Sequence, residues 1–197
     1  MKYVNQLQYP HLLYVTRTNP EVEGHERGKT TTIRQAGCGM CAAVMVADRL
    51  LPNCTFELED AISLSYEVEA NHRRGTDYDR FGPAFAKKLG LRYQGSNDVE
   101  DLRKCLRTGG AAVVLVVAQE PATGLFTKGG HFITVISEEP DGRFAILDPS
   151  LKDGKYDEEH RKGKVEITHD VVILCDGAVL DAEIAKHRIG YHLFWRA

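Results

Sequence analysis

The chain has 197 residues, of which 43% are hydrophobic and 27% charged, with a formal net charge of −3. That balance describes a globular chain long enough to bury a core, and its slight acidity offers no electrostatic footprint for nucleic acid or an anionic membrane. The longest apolar run, Ala111 to Ala118, is far short of the roughly 20 residues of a spanning helix.

The N-terminal stretch MKYVNQLQYPHLLYV carries polar residues and a proline where a secretion signal would be apolar, so a cytoplasmic protein with no membrane partner is expected. Residues 16–32 are polar, charged and glycine-bearing, and read as a long surface loop. From Cys38 to about Leu51 the chain is almost wholly apolar for three turns and then meets Pro52, which predicts a buried helix with a proline stop. Residues 57–73 predict a second, amphipathic helix closed by Gly75, and residues 81–89 a third ending at Gly90. A fourth starts near SNDVEDLRKCLRTGG, with Ser96 or Asn97 as cap and acids in its first turn. Its apolar positions Val99, Leu102, Cys105 and Leu106 fall on one helical face, so Cys105 reads as a core residue.

Beyond Gly110 the pattern changes. Ala111 to Ala118 is apolar and rich in valine, the signature of a strand buried on both faces. Residues 131–137 and 143–149 flank EEPDG, a hairpin turn signal. Residues 164–168, 171–175 and 190–195 predict further strands, with a short helix around 178–187. Helices first and strands later imply an α+β fold. It is read as one domain over 1–197, a helical part (about 33–108) packed on a C-terminal antiparallel sheet (about 111–197).

Five cysteines, Cys38, Cys41, Cys54, Cys105 and Cys175, are odd in number and irregular in spacing, which argues against a disulfide framework. Cys38 sits where a glycine-flanked loop becomes the first buried helix. A helix N-terminus with its unpaired N–H groups, and a neighbouring imidazolium, are two devices that turn a thiol into a nucleophilic thiolate. Cys41 lies one turn further in and is expected to be more buried. Among eight histidines, His11, His25, His72, His160 and His187 lie in polar or loop contexts, and His169 and His192 have no acidic partner that sequence identifies. His131 opens a strand, and Asp148 ends the next. With a two-residue turn at Asp141-Gly142, opposed residues sum to 283, which places Asp148 opposite Val135 and on the face of His131. The face is thereby set, and the register is left open.

AGCGMCAAVMV, GGHFITVIS and FAILDPS together resemble the papain-like cysteine peptidases, in particular the domains that trim double-glycine leader peptides in bacteriocin exporters and their soluble relatives. The resemblance runs over nearly the whole chain and implies a papain-like fold. It also implies a nucleophile in the Cys38-Gly39 pair, a base at His131 and an orienting acid at Asp148. Two departures stand out. Met40 occupies a position that is usually proline or small. QAGCGMC also matches papain's own spacing, in which Gln35 would supply the oxyanion hole and Cys41 would be the nucleophile. The residue after Cys41 is Ala42, where papain has an aromatic, and the small residue four beyond Cys38 is again Ala42, so Cys38 is favoured. With Cys38, the resemblance points to Gln6 of VNQLQYP as the oxyanion donor.

The implied activity is hydrolysis of a peptide or amide through a thioester, with no cofactor and no metal. An acceptor other than water would make the same groups an acyltransferase, and a silent papain-like binding module is a further alternative. A redox or zinc role for Cys38-x-x-Cys41 has less behind it, because no strand pattern precedes the pair and no second such pair exists.

Overall fold

The computed structural model describes residues 1–16, 29–71, 75–120, 122–168 and 171–197. The chain opens with a short 3-10 turn at Gln6–Gln8 and an antiparallel ribbon of β1 (Leu13–Thr16) and β2 (Lys29–Thr32). This corrects both ends of the expected 16–32 loop: Tyr14 and Thr16 are buried while Leu13 and Val15 face out, the period of two that defines a strand. Residues 17–28 lie outside the described residues.

Helix α1 (Ile33–Ala36) leads through Gly37 into α2 (Cys38–Leu50). From Gly39 to Ala47 every residue of α2 is buried, as nine consecutive uncharged residues allow. The next helix, α3 (Leu58–Glu67), is shorter than expected. Glu69 adopts φ 54°, and the Ala70 and Glu69 amides bond to the Ser65 and Tyr66 carbonyls at 2.8 and 3.2 Å. This is a Schellman stop built without glycine, and therefore invisible to a search for one. Helix α4 (Tyr78–Leu89) begins three residues earlier than expected because Asp77 caps it, accepting from the Asp79 amide at 3.2 Å.

The chain then enters β3 (Leu91–Ser96), a strand that sequence reading missed, and α5 (Val99–Arg107). The cap of α5 is Asp98, which accepts from the Glu100 amide at 2.9 Å. Neither expected residue serves, since Ser96 supports the Asp98 amide and Asn97 accepts from the Gly190 amide. There follow β4 (Ala111–Val117), β5 (Gly130–Glu138), β6 (Phe144–Leu147), β7 (Val165–Ile167), β8 (Ile173–Cys175), α6 (Gly177–Glu183) and β9 (Tyr191–Arg196). The short helix expected over 178–187 thus ends at Glu183.

Seven strands form one antiparallel sheet in the order β3-β9-β4-β5-β6-β8-β7. Each face is covered. Val113, Leu115, Phe132, Ile136 and Leu147 join the core that contains α2, α3 and α4. Val114, Val116, Ile133, Val135 and Ile146 join a second core with Leu102, Cys105, Leu106 and Leu180. Burial on both faces explains the unbroken apolar run of β4. Cys105 is a core residue, as its helical face implied.

The β5–β6 hairpin sets the geometry of the site. Its turn has three residues, Pro140 to Gly142, closed by the Glu139 amide on the Arg143 carbonyl at 2.8 Å. Paired residues sum to 282 next to the turn (Glu138 with Phe144, Ser137 with Ala145) and to 281 beyond a bulge between Ser137 and Val135. The assumed sum of 283 is thus corrected by a longer turn and an extra residue. Continuing the same register, Asp148 falls opposite Ile133, one same-face neighbour from His131.

Candidate active site

β5 outruns β6: pairing between them begins only at Thr134 and Leu147, so His131 and Phe132 stand in an overhang. The first turn of α2 meets the protein there. Gly39 makes the approach possible, since a Cβ at that position would lie 2.9 Å from Thr76 Oγ1 and 3.3 Å from Phe132 Cδ2. A bulkier residue after Cys38 would push the helix end away from β5.

Cys38 is half-buried at the first position of α2. Burial alone would push its thiol up. The adjoining His131 side chain, as hydrogen-bond partner and as charge, together with the Phe132 and Gly39 amides outweighs burial and holds the thiol below its ordinary value. The imidazole is buried. Its Nε2 lies 2.8 Å from Asp148 Oδ1 and 3.1 Å from Ser150 Oγ, which leaves Nδ1 as the ring nitrogen for the sulfur. Burial pulls His131 down, but Asp148 and Cys38 raise it to about 9.

Asp148 is fully buried and fully partnered. Oδ1 accepts from His131, from the Ser150 amide at 2.8 Å and from Ser150 Oγ at 3.1 Å. Oδ2 accepts from Tyr156 at 2.7 Å and from the Lys155 ammonium. Burial pushes this carboxyl up, yet His131 and Lys155 hold it well below the usual carboxylate range. The arrangement is a thiol, an imidazole and a carboxylate in line, each shifted toward its charged form.

The other candidates divide clearly. Cys41 is fully buried, and burial together with the nearby Cys38 sulfur pushes its thiol up. Gln35 is exposed, and its Oε1 accepts from the Thr32 amide at 3.1 Å, closing the start of α1. Gln6 is buried against the site. Its amide N–H donates to the Pro149 carbonyl at 2.7 Å, and its Nε2 donates to the Arg34 carbonyl at 2.9 Å. The 3-10 turn therefore bridges the segment before Cys38 and the segment after Asp148. Among the described residues, Gln6 Oε1 is buried without a partner.

Among the other histidines, His11 and His187 are exposed, and His160 lies beside Arg161. His192 bonds Tyr93 at 2.9 Å, and burial lowers it to about 3. His25, His72 and His169 lie outside the described residues.

Sequence reasoning missed Ser150, Lys155, Tyr156 and Tyr3, whose hydroxyl donates to the Asp148 carbonyl at 2.7 Å. Ser150 was within reach of inference, since a serine two residues after an aspartate commonly closes a local turn onto it. Nothing in KDGKYDEEH separates Lys155 from the other lysines. The cysteine pair also follows α1 and Gly37, where a thioredoxin-like motif would follow a strand.

No protein-family model and no curated protein matches the chain. Solved structures do. A crystal structure from Bacillus anthracis, provisionally named a C39-like peptidase, aligns with a TM-score of 0.50 at 12% identity, covering 82% of this chain and 88% of that one. The fold is α+β and papain-like. Among the described residues no helix is long and apolar enough to cross a membrane.

Proposed function

We propose that this chain is a cysteine peptidase or amidohydrolase working as a single unit, with Cys38 as nucleophile, His131 as base and acid, and Asp148 as the group that orients the imidazole. The observation that carries the reading is a buried His131 imidazole held by a five-times-partnered Asp148, beside a Cys38 thiol whose ionisation it favours. The papain-like fold, seen also in a neighbour named for peptidase activity, supports it. The three motifs fit the exporter leader peptidases and their soluble relatives.

His131 takes the Cys38 proton on Nδ1, while Nε2–H points at Asp148. The thiolate attacks the carbonyl carbon of a peptide or amide. Charge builds on the carbonyl oxygen, where the first amides of α2, lacking intrahelical acceptors, and Gln6 Nε2 serve as donors. The imidazolium then protonates the leaving amine. Water, deprotonated by His131, cleaves the thioester and restores the thiol.

Turnover of a panel of fluorogenic peptides and amides tests the reading. Cys38→Ala is expected to abolish hydrolysis, while Cys41→Ala stays within a few-fold of the parent. Activity that survives the first change and dies with the second would assign the chemistry to the other sulfur.

A further inference from the structure

Asp148 has a second cation. Lys155 is buried, its ammonium contacts Asp148 Oδ2, and it donates to Ser150 Oγ at 2.7 Å. Buried lysines are rare unless paired, and this one is delivered by a constructed loop. Gly154, at φ +71°, reverses the chain so that the Lys155 amide reaches the Lys152 carbonyl at 3.1 Å. Arg161 then pins the Lys155 carbonyl at 3.0 Å while its Nε holds the Gly124 carbonyl at 3.1 Å.

Counting charges shows what the lysine does. A thiolate, an imidazolium and a carboxylate sum to −1, a net charge that a water-poor site tolerates badly. With the ammonium the sum is zero. It is also zero after the proton returns from His131 to Cys38, because carboxylate and ammonium still cancel.

We propose that Lys155 is a positioning residue that acts through Asp148: its ammonium keeps the carboxylate ionised and balanced, so that Cys38 and His131 exchange their proton at zero net charge. This rests on the reading of Cys38, His131 and Asp148 as the reacting groups. The ammonium is also a like charge for the imidazolium across the carboxylate, and so it limits how tightly His131 holds its proton.

The groups facing this network come from every element around it. They are Cys38 and Cys41 from α2, His131 from β5, Cys175 from β8, Tyr3 from the N-terminal segment, and Tyr156, Glu158, His160 and Arg161 from the loop after β6. Burial pushes Tyr3, Tyr156 and Cys41 up, and Cys175 up to about 12. Burial pulls Lys155 down while Asp148 pushes back, and the charge that the lysine keeps is read through the Cys38–His131 couple.

The test is the pH dependence of Cys38 alkylation by iodoacetamide, mapped by mass spectrometry, with thermal melting as the check on folding. In the parent, labelling rises in a first step as the ion pair forms and in a second as the imidazolium loses its proton. Lys155→Met is expected to move the second step upward by about one pH unit. Tyr156→Phe removes a donor to the same oxygen without removing charge, and leaves the step in place. A folded Lys155→Met whose steps coincide with the parent's would overturn the proposal.

Should Lys155→Met leave its carboxylate orphaned and fail to fold, the double variant Asp148→Asn/Lys155→Met is expected to fold and to melt higher. A double variant as unfolded as the single one makes the lysine a packing residue and overturns the proposal. If the parent's Cys38 labels in one step near the ordinary thiol value of about 8.5, the site reading itself fails, and the lysine's role falls with it.

Discussion

The β5–β6 hairpin carries the same charge pattern at both ends, a carboxylate flanked by two cations. At the turn end Glu138 accepts from Arg107 at 2.7 and 3.0 Å and pairs with Arg103. At the open end Asp148 accepts from His131 at 2.8 Å and pairs with Lys155. The difference between them is water. The turn-end cations reach solvent, with the Arg107 side chain 62% and Arg103 19% exposed around a Glu138 at 9%, whereas Asp148 and Lys155 are 0% and 6% exposed. Solvent and salt can replace a partner lost at the turn end, and they cannot at the open end. The surface trio ties α5 to the hairpin, while the buried trio survives only as a complete set. Such completeness is what holds the His131 imidazole in one orientation.

The largest effect is expected where completeness is broken. Asp148→Asn should lower turnover by about 10²–10⁴-fold through loss of the correctly held imidazole. It should also cost about 3–5 kcal/mol by leaving Lys155 unpaired in the interior, read from urea unfolding. A variant that keeps the parent's activity and unfolding midpoint would erase the distinction between the two ends.

Next comes the lid on the open end, the Gln6 turn that bonds to Pro149 and Arg34. Gln6→Ala should reduce kcat by about two to three orders of magnitude if its amide stabilises the oxyanion, with cooperative melting retained. A change confined to KM would assign Gln6 to substrate binding instead.

Stability against pH sharpens the comparison further. His131 is raised from 6.5 to about 9 in the folded protein. Its contribution is therefore complete below pH 6.5 and disappears as pH climbs through about 9. Asp148 is depressed below 3.8, so its contribution is present above that value and is lost on acidification. Carboxylates at both ends share the acid loss, since Arg107 and Arg103 also lower Glu138. The alkaline loss belongs to the open end alone. The Cys38 thiol, held below its ordinary value beside the imidazolium, offsets this fall in the parent. The slope is therefore read in Cys38→Ala, where melting temperatures should fall above pH 6.5 and flatten when His131→Gln is added. An unchanged slope would mean that the imidazolium is not held as described.

The smallest effect is expected from Glu138→Gln, a slight destabilisation that added salt removes. A large, salt-insensitive loss would show that the turn end is as dependent on its partners as the buried one.

Much of this site was legible in the sequence, and the residues explain why. Cys38, His131 and Asp148 stand in short strings whose neighbours, glycines and apolar runs, announce a helix start and two strand ends. The apolar runs of α2 and β4 left one burial pattern each. The register was not legible, because it depends on a bulge without a residue signature in VISEEPDGR and on a three-residue turn, Pro140 to Gly142, that was read as a two-residue one. Glu69 stopped a helix in a conformation usually reserved for glycine. β3 was missed because Gly95 and scattered polar residues hide its alternation. Lys155 was missed because burial of a lysine is decided by a partner seven residues away, not by its own neighbours.

The central claim is that the sulfur of Cys38, and not that of Cys41, shares a proton with His131. Selective alkylation in mildly acidic buffer tests it most directly, with the modified residue identified by peptide mapping. Labelling is expected to be rapid at Cys38 alone and to be lost in His131→Ala. Labelling at Cys41, or Cys38 labelling that is slow in the parent and indifferent to His131, would contradict it.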